Sequence, residues 1–249
     1  MKTLTLKLTA PLQSYGNEAT FDRRTSYHCP SKSAVLGMIA AALGYRRDDP
    51  RIPELNHLSF AVRIDQPGQP LTDFQIVEYQ KSKTKFARKL TYRDYLQDAV
   101  YMVAIGGNDD EIDRIEWALH HPKFQLYLGR RANPLAGALD TATFENQTPV
   151  EVLKQMNWQS SEWYQRRRRY EAEYSAELLA DAALLPNRPN VLVKDAIGSF
   201  SQEHRFSKYR AVAKVRVELI NPQYIEPQDA GHDIYDFLGK EDGKCIYQG

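Results

Sequence analysis

Cysteine is nearly absent from this sequence of 249 residues, which contains only Cys29 and Cys245 and no CxxC pair. Two distant cysteines exclude a disulfide framework and a cysteine-rich zinc site, and they are typical of a reducing compartment. No apolar run approaches the ~20 residues that a membrane-spanning helix needs. The first residues, MKTLTLKLTAP, alternate leucine with polar residues and predict a strand, not a secretory signal. We therefore expect a cytoplasmic protein.

The common catalytic motifs are also missing. The sequence contains no GxxxxGK[ST], GxGxxG, GxSxG or HExxH motif, which excludes the nucleotide-binding, hydrolase and zinc-protease classes that these motifs define. No two of the six histidines have the i, i+4 spacing of a helical metal site. We therefore expect neither a metal nor a cofactor.

Charge of one sign is not in excess, since the net charge is only +1, but basic residues are concentrated in one segment. The segment YQKSKTKFARKLTYR, residues 79–93, has no acidic residue and interleaves aromatic with basic side chains. This combination favours single-stranded nucleic acid, because cations neutralise the backbone and aromatic rings stack on bases. A lysine-rich, solvated hairpin is the alternative. The basic residues are Lys81, Lys83, Lys85, Arg88, Lys89 and Arg93, and the spacing of the three lysines predicts one positive strand edge.

Two adjacent arginines follow a glycine in QLYLGRRANPLAG, residues 125–137. On a strand, Arg130 and Arg131 would point to opposite faces, and Gly129 would let a backbone or a ligand come close. This arrangement suits a phosphate-binding edge. A solvated turn with two surface arginines is the alternative.

A serine-rich helix start provides a second candidate anion site. In PSKSAVLGMIAAALGY, Ser31 is the expected N-cap and Gly44 the expected end of the helix. Exposed N–H groups at a helix N-terminus favour phosphate. Lys32 adds weight to this interpretation, because a cation in the first turn is unfavourable without an anion nearby.

The order of predicted elements is strand, helix, strand, strand, helix, strand, with strands at residues 2–9, 58–65, 98–107 and 123–131. This order predicts an α+β fold with a ferredoxin-like or RNA-recognition-motif core over residues 1–145, interrupted by a protruding β-hairpin at about 75–98. The second helix, DDEIDRIEWALHH, should bury Ile112, Ile115, Trp117 and Leu119.

Residues 146–249 are expected to form a C-terminal extension packed on the core, with an acidic tail from about residue 221. Thr148 and Glu151 form an expected capping box, with Pro149 at the first helical position. The RRRR run at residues 166–169 predicts an exposed helix with salt bridges.

Four stretches in the same order resemble the CasD family, which supplies the subunit that binds the 5′ handle of the guide RNA in the type I-E CRISPR surveillance complex, Cascade. They are LTAPLQSYG, PSKSAVLGMIAAALGYRRDDP, YRDYLQDAVYMVAI and PKFQLYLGRRANPLAG, and together they span roughly residues 1–140. The resemblance implies a non-catalytic subunit that grips the handle, kinks the guide with a hairpin thumb and supports target DNA recognition in antiviral defence. It implies four partners: guide RNA, CasC-type backbone subunits, a CasA-type large PAM-reading subunit, and target DNA through the complex.

By position, the resemblance implies RNA contacts from several segments, and it leaves open which of the two adjacent arginines contacts RNA. The implied residues are Gln13, Ser14, Tyr15, Ser31, Lys32, Ser33, Arg46, Lys81, Lys83, Lys85, Arg88, Lys89, Tyr127, Arg130 and Arg131. Tyr15 would stack on a base.

A second function is also compatible with the sequence. Type I-C relatives are metal-independent endoribonucleases that process precursor CRISPR RNA, and such cleavage needs a base for the 2′-OH and an acid for the leaving oxygen. Tyr27 and His28 are the candidates for these roles. A third hypothesis is an RNA-recognition protein outside CRISPR that binds single strands through the basic segment.

Overall fold

The computed structural model describes residues 1–16 and 22–226, so Cys245 and most of the predicted acidic tail lie outside the described residues. The described chain is a mixed α/β protein in which antiparallel strands predominate. The strands are β1 (Lys2–Thr9), β2 (Leu12–Gln13), β3 (Arg23–Arg24), β4 (Ser59–Gln66), β5 (Gln69–Ser82), β6 (Lys85–Gln97), β7 (Val100–Gly107), β8 (Asp140–Glu145), β9 (Glu173–Asp181), β10 (Asn190–Ser199) and β11 (Phe206–Ile220). The α-helices are α1 (Lys32–Leu43), α2 (Arg51–Glu54), α3 (Asp109–His120), α4 (Pro149–Gln155) and α5 (Glu162–Arg167).

The main sheet has seven strands in the order β10-β11-β9-β4-β7-β1-β8, and neighbouring strands pair antiparallel. Helices α1 and α3 cover one face of the sheet, and the shorter α4 covers part of the other. The central strand β7 is buried over almost its whole length because helices lie against both of its faces. Apolar side chains on both faces of this strand therefore form two cores.

Helix α1 has the predicted ends. The Ser31 side chain accepts a hydrogen bond from the Ala34 N–H, and Gly44 ends the helix with φ of +81°. Leu36 and Ile39 are fully buried against the sheet. The local signals for this helix were sufficient, and its prediction is confirmed.

Two predictions about the second half of the core are wrong. Trp117 is 61% exposed, because on α3 it lies beside the stripe formed by Ile112, Ile115 and Leu119. Residues 123–131 do not form a strand; their backbone turns, and Tyr127 pairs only with Pro134 in an isolated bridge.

The strand that borders β1 at this edge is β8. Its end residues lie opposite Lys2 and Lys7 of β1, so that each lysine faces an acidic residue, Glu145 or Asp140. Opposite charges across a strand pair stabilise this register. Strand β8 was not predicted from the sequence.

Strands β5 and β6 form a long hairpin whose pairing runs from Gln69–Gln97 to Ser82–Lys85. We call it the hairpin. The base of β6 also pairs with β2 and β3, which makes a second, four-stranded sheet. Lys83 lies in the turn, and the three predicted lysines surround the tip instead of lining one strand edge. The turn breaks the period-two pattern, so the predicted positive edge is wrong.

Residues after 146 continue the same sheet, because β9 pairs with β4 from Ala61–Ala180 to Arg63–Leu178. The predicted capping box of α4 is present. In the RRRR run, Arg166 pairs with Glu162 at 2.9 Å and Arg168 with Glu171 at 2.8 Å, as predicted for an exposed, salt-bridged segment. Among the described helices, none has the length and apolar character needed to cross a membrane.

Candidate nucleic-acid interface

Residues 127–134 form a tight turn that we call the arginine loop. The Leu128 N–H donates to the Asn133 carbonyl at 2.8 Å, which closes the turn. Gly129 has φ of +85°, and a Cβ atom there would lie 1.6 Å from the carbonyl oxygen of Ser14. Only glycine fits so close an approach. The prediction that this glycine admits a close neighbour is confirmed, and the neighbour is the protein's own backbone.

Arg130 is half-buried and held in place by two contacts. Its Nη2 donates to the carbonyl of Arg24 at 2.9 Å, and its guanidinium carbon lies 4.6 Å above the centre of the Tyr95 ring. Its Nη1 is buried and has no acceptor among the described residues. A buried donor without an acceptor costs free energy, so an anion that reached this N–H would be stabilised by it. Arg131 is exposed.

Arg93 presents a second buried donor in the same region. It lies opposite Arg24 in the parallel pairing of β3 with β6, and two residues before Tyr95, so it shares a strand face with Tyr95. Its Nε is also buried without an acceptor in the described structure. The ion pairs formed between described residues include neither Arg93 nor Arg130. We call Arg24, Arg93 and Arg130 the arginine cluster.

Arg24 and Arg93 were not among the predicted site residues. The stretch DRRT, residues 22–25, contains a second arginine pair that could have drawn attention to Arg24. Nothing local shows that this pair lies beside residue 93, because the contact comes from a strand pairing between distant segments.

The predicted contact residues of PLQSYG lie beneath the interface, not on it. The Gln13 amide donates to the Ala99 carbonyl at 2.7 Å and accepts from the Tyr15 hydroxyl at 2.6 Å. The Ser14 hydroxyl donates to the Asp94 carbonyl at 2.9 Å. Tyr15 is only 1% exposed, and burial raises the pKa of its phenol well above the usual value. Tyr15 is therefore not placed to stack on a base, contrary to the prediction.

Lys32 is also buried, with a side chain only 6% exposed. Its Nζ lies 3.1 Å from Asp181 and 3.0 Å from the Asn56 carbonyl, and burial lowers its pKa. Asp195 accepts from the Lys32 N–H at 3.0 Å, and Arg210 joins both carboxylates at 2.7 Å each. The anion expected near this cation is a protein carboxylate, not a phosphate. We call Lys32, Asp181, Asp195 and Arg210 the buried ion cluster.

The two serines that flank Lys32 lie close to each other. Ser31 is buried as the N-cap, and Ser33 is half-buried with its Oγ 3.4 Å from that of Ser31. Arg46 is exposed in the loop between α1 and α2, and Tyr127 is half-buried in the arginine loop.

Lys81, Lys83 and Lys85 are exposed at the tip of the hairpin. The other two predicted hairpin cations have acidic partners, since Arg88 pairs with Glu78 at 2.8 Å and Lys89 with Asp22 at 2.6 Å. One face of the hairpin also exposes large apolar side chains in cross-strand pairs. They are Phe74 with Tyr92 and Ile76 with Leu90, followed by Phe86 towards the tip. The tip lysines and this face are thus open to a partner molecule.

The two residues considered for catalysis are near neighbours of the core. The Tyr27 N–H donates to the Tyr15 carbonyl at 2.6 Å, and the His28 carbonyl accepts from the Tyr101 hydroxyl at 2.7 Å. The His28 side chain is exposed. Within residues 1–16 and 22–226, no group of three or more His, Cys, Asp or Glu side chains could hold a metal ion.

Comparison with known proteins gives the class of the molecule. Residues 3–208 match the family model described as CRISPR-associated protein (Cas_Cas5). The chain is 31% identical over 170 residues to the CRISPR system Cascade subunit CasD of Escherichia coli (strain K12), which covers 60% of this chain and 75% of the relative. The chain therefore belongs to the CasD/Cas5 family of CRISPR-associated proteins.

Solved structures are similar over nearly the whole chain. A chain of a CRISPR RNA-guided surveillance complex has 28% sequence identity and a TM-score of 0.71, with 95% of this chain and 98% of that chain covered. The crystal structure of a Cas protein has 25% identity and a TM-score of 0.57, with 90% and 98% covered.

Proposed function

We propose that this protein is a non-catalytic subunit of a type I-E Cascade surveillance complex, where it binds the 5′ handle of the guide RNA. One observation carries the proposal: Arg93 and Arg130 each hold a buried N–H group with no acceptor in the described structure. Phosphate oxygens are suitable acceptors, because guanidinium–phosphate hydrogen bonds are charge-assisted. The likeness to a Cascade subunit and to a chain of an RNA-guided surveillance complex supports this role.

We further propose a ferredoxin-like core for residues 1–145. The strand order β4-β7-β1-β8, with α1 and α3 on one face, supports this assignment. In the same proposal the hairpin is the thumb, inserted between the second and third strands of the core, and residues 146–249 are the extension.

The thumb would kink the guide where the handle ends. Its exposed aromatic side chains offer surfaces for base stacking, and the lysines at its tip offer charge for the backbone. As a subunit of such a complex, the protein would also contact CasC-type backbone subunits and a CasA-type subunit, and through the complex it would contact target DNA.

We propose two groups among these residues, which differ in exposure. Arg130 is the proposed direct contact of the arginine loop, with Arg131, Tyr127, Arg46, Ser33, Arg88, Lys89 and the tip lysines as further contacts. Gln13, Ser14, Tyr15 and Ser31 would support the interface from beneath, since their side chains are buried and hydrogen-bonded within the protein. Lys32 is left out, because the buried ion cluster neutralises it.

Titration of a fluorescent RNA carrying the 5′ end of the guide tests the proposal. We expect Arg93→Ala and Arg130→Ala each to weaken binding about 10- to 100-fold, as for a lost charge-assisted hydrogen bond. Arg130→Lys keeps the charge but loses the planar fork, so it should recover only part of the affinity. Arg167→Ala removes an exposed arginine of α5 and is the matched control. Parental affinity in both alanine variants would contradict the proposal.

The endoribonuclease alternative has its own test. The purified protein, incubated with repeat RNA and no added metal, should leave the RNA intact while a dedicated processing enzyme cuts it. Cleavage that disappears in His28→Ala would instead establish the catalytic function.

A further inference from the structure

The last described residues lie against the end of α5. The side-chain amide of Asn221 donates to the Arg168 carbonyl at 2.9 Å, and the Ile225 N–H donates to the Arg169 carbonyl at 2.7 Å. Residue 226 is the last of the described residues. The acidic part of the sequence that follows is therefore tethered next to Arg169.

Two arginines of the RRRR run have no carboxylate partner in the described part of the chain. Arg167 and Arg169 are exposed and form no ion pair with a described residue, unlike Arg166 and Arg168. The Arg169 Nη2 donates to the Tyr170 hydroxyl at 3.0 Å, and its guanidinium carbon lies 4.9 Å from the centre of that ring. Two positive charges are thus left unpaired close to the last described residue.

Large apolar side chains are exposed beside these cations. Trp163 lies one turn before Arg167 on α5, so the two side chains share a face of the helix. Trp163, Tyr170 and Ile225 are each between 49% and 58% exposed. We call Trp163, Arg167, Arg169, Tyr170 and Ile225 the α5 surface. This combination suits a partner that carries carboxylates next to apolar side chains.

The sequence after residue 226 has this complementary composition. Residues 227–249 contain five acidic residues and two lysines, and the stretch DIYDFL, residues 233–238, interleaves two aspartates with apolar side chains. Asp233 follows Glu226 by seven residues, which can span up to about 25 Å. A segment tethered at this distance has an effective concentration on the order of millimolar, so contacts too weak to hold a free peptide are sufficient.

We propose that DIYDFL binds the α5 surface within the same chain. Its two aspartates would pair with Arg167 and Arg169, and its apolar side chains would pack on the exposed apolar side chains of that surface. Every arginine of the RRRR run would then have a carboxylate of the protein as its partner, as Arg166 and Arg168 already have. The inference does not depend on RNA binding.

Chymotrypsin digestion of the full chain, followed by mass spectrometry, tests the inference. The protease cleaves after aromatic residues, and cleavage after Tyr235 or Phe237 requires that the segment leave the α5 surface. When binding and release are faster than cleavage, the rate follows the population of the released form. Arg167→Glu combined with Arg169→Glu, the arginine variant, should therefore raise this rate about tenfold.

Charge reversal on the segment provides a matched rescue. Asp233→Arg with Asp236→Arg, added to the arginine variant, should return the rate towards the parental value, because the two pairs form again with opposite polarity. The control is Arg114→Glu with Arg188→Glu, two exposed arginines outside the α5 surface, which should leave the rate unchanged.

Equal cleavage rates in the parent and the arginine variant would overturn the inference. A raised rate that the reversals on the segment do not restore would also overturn it, because direct pairing requires restoration. Equal rates together with lost copurification of another subunit, or with weakened RNA binding, would overturn it and show that a different partner occupies the α5 surface. The proposed function is tested separately, by the RNA titration of the Arg93 and Arg130 variants.

Discussion

The arginine cluster, in which Arg93 and Arg130 are half-buried and Arg24 is exposed, differs from the buried ion cluster in its acceptors. In the buried ion cluster, Arg210 donates to Asp181 and Asp195 at 2.7–2.9 Å. In the arginine cluster, Arg130 has a carbonyl and an aromatic ring as partners, and one of its N–H groups has none in the described structure. A cation whose charge is neutralised by carboxylates of the protein stabilises the fold. A cation without such a carboxylate can instead be neutralised by an anion of a binding partner.

The largest effect should come from breaking the buried ion cluster. Arg210→Ala would leave two carboxylates near each other without their main cation, and removal of one partner of a buried ion pair typically costs about 3–5 kcal/mol. Urea denaturation followed by circular dichroism measures the free energy of unfolding. Arg205→Ala, an exposed arginine nearby in sequence, should change it little. RNA affinity of the folded Arg210→Ala protein should equal that of the parent, and a specific loss of affinity would contradict the division between the clusters.

The opposite result is expected in the arginine cluster. Arg93→Ala removes a buried donor that has no acceptor among the described residues, so the free energy of unfolding should stay the same or rise. RNA binding should weaken by about 1.5–3 kcal/mol. The same denaturation experiment and an RNA titration measure the two quantities. A loss of stability as large as that of Arg210→Ala would show that Arg93 is structural.

A smaller effect should come from the three exposed lysines at the tip of the hairpin. Replacing Lys81, Lys83 and Lys85 by alanine should reduce the slope of log K against log salt by about 2, because each phosphate contact on a single strand contributes about 0.7. The control is Arg167→Ala with Lys208→Ala, two exposed cations that lie outside the hairpin. Equal slopes in the parent and the triple variant would contradict a role of the tip in RNA binding.

The smallest effect concerns a surface pair whose charge depends on pH. Burial lowers the pKa of His57, but hydrogen bonds to the Glu54 carbonyl and to Glu111, at 2.7 Å, outweigh it and raise the pKa above the usual value. A raised folded-state pKa adds stability that is fully present below the unfolded pKa of ~6.5 and is lost as pH rises through the folded value. Thermal unfolding from pH 5.5 to 8.5 should show a slight decline that His57→Gln removes. An identical pH profile in that variant would show that the pair adds nothing.

Features that depend on residues close together in the sequence were predicted correctly, whereas features that depend on distant residues were not. Helix α1 was predictable because its start and end depend on residues 31–44 alone. The need for an anion near Lys32 was also predictable, but its source was not, since Asp181 is 149 residues further along the chain. The strand expected at residues 123–131 failed because apolar alternation does not reveal the turn that Gly129 makes against Ser14.

The candidate site shows the same limit. Arg130 was identified from its immediate neighbours, whereas Arg24 and Arg93 become neighbours only through the pairing of β3 with β6. Tyr15 was expected to stack on RNA because the resemblance to the CasD family implies an RNA contact at this position. Its burial depends on Tyr101, which lies 86 residues later and meets it edge to face at 6.0 Å.

The contact between Gly129 and Ser14 has a consequence for comparing distant relatives. Any side chain at residue 129 would collide with the Ser14 carbonyl and push the arginine loop away from the N-terminal strands. A diverged homologue that keeps this loop in place must therefore keep a residue without a Cβ atom at the equivalent position. This glycine, followed at once by arginine, provides an anchor for alignment that is independent of overall identity, and its loss would mark lineages in which the loop has been rebuilt.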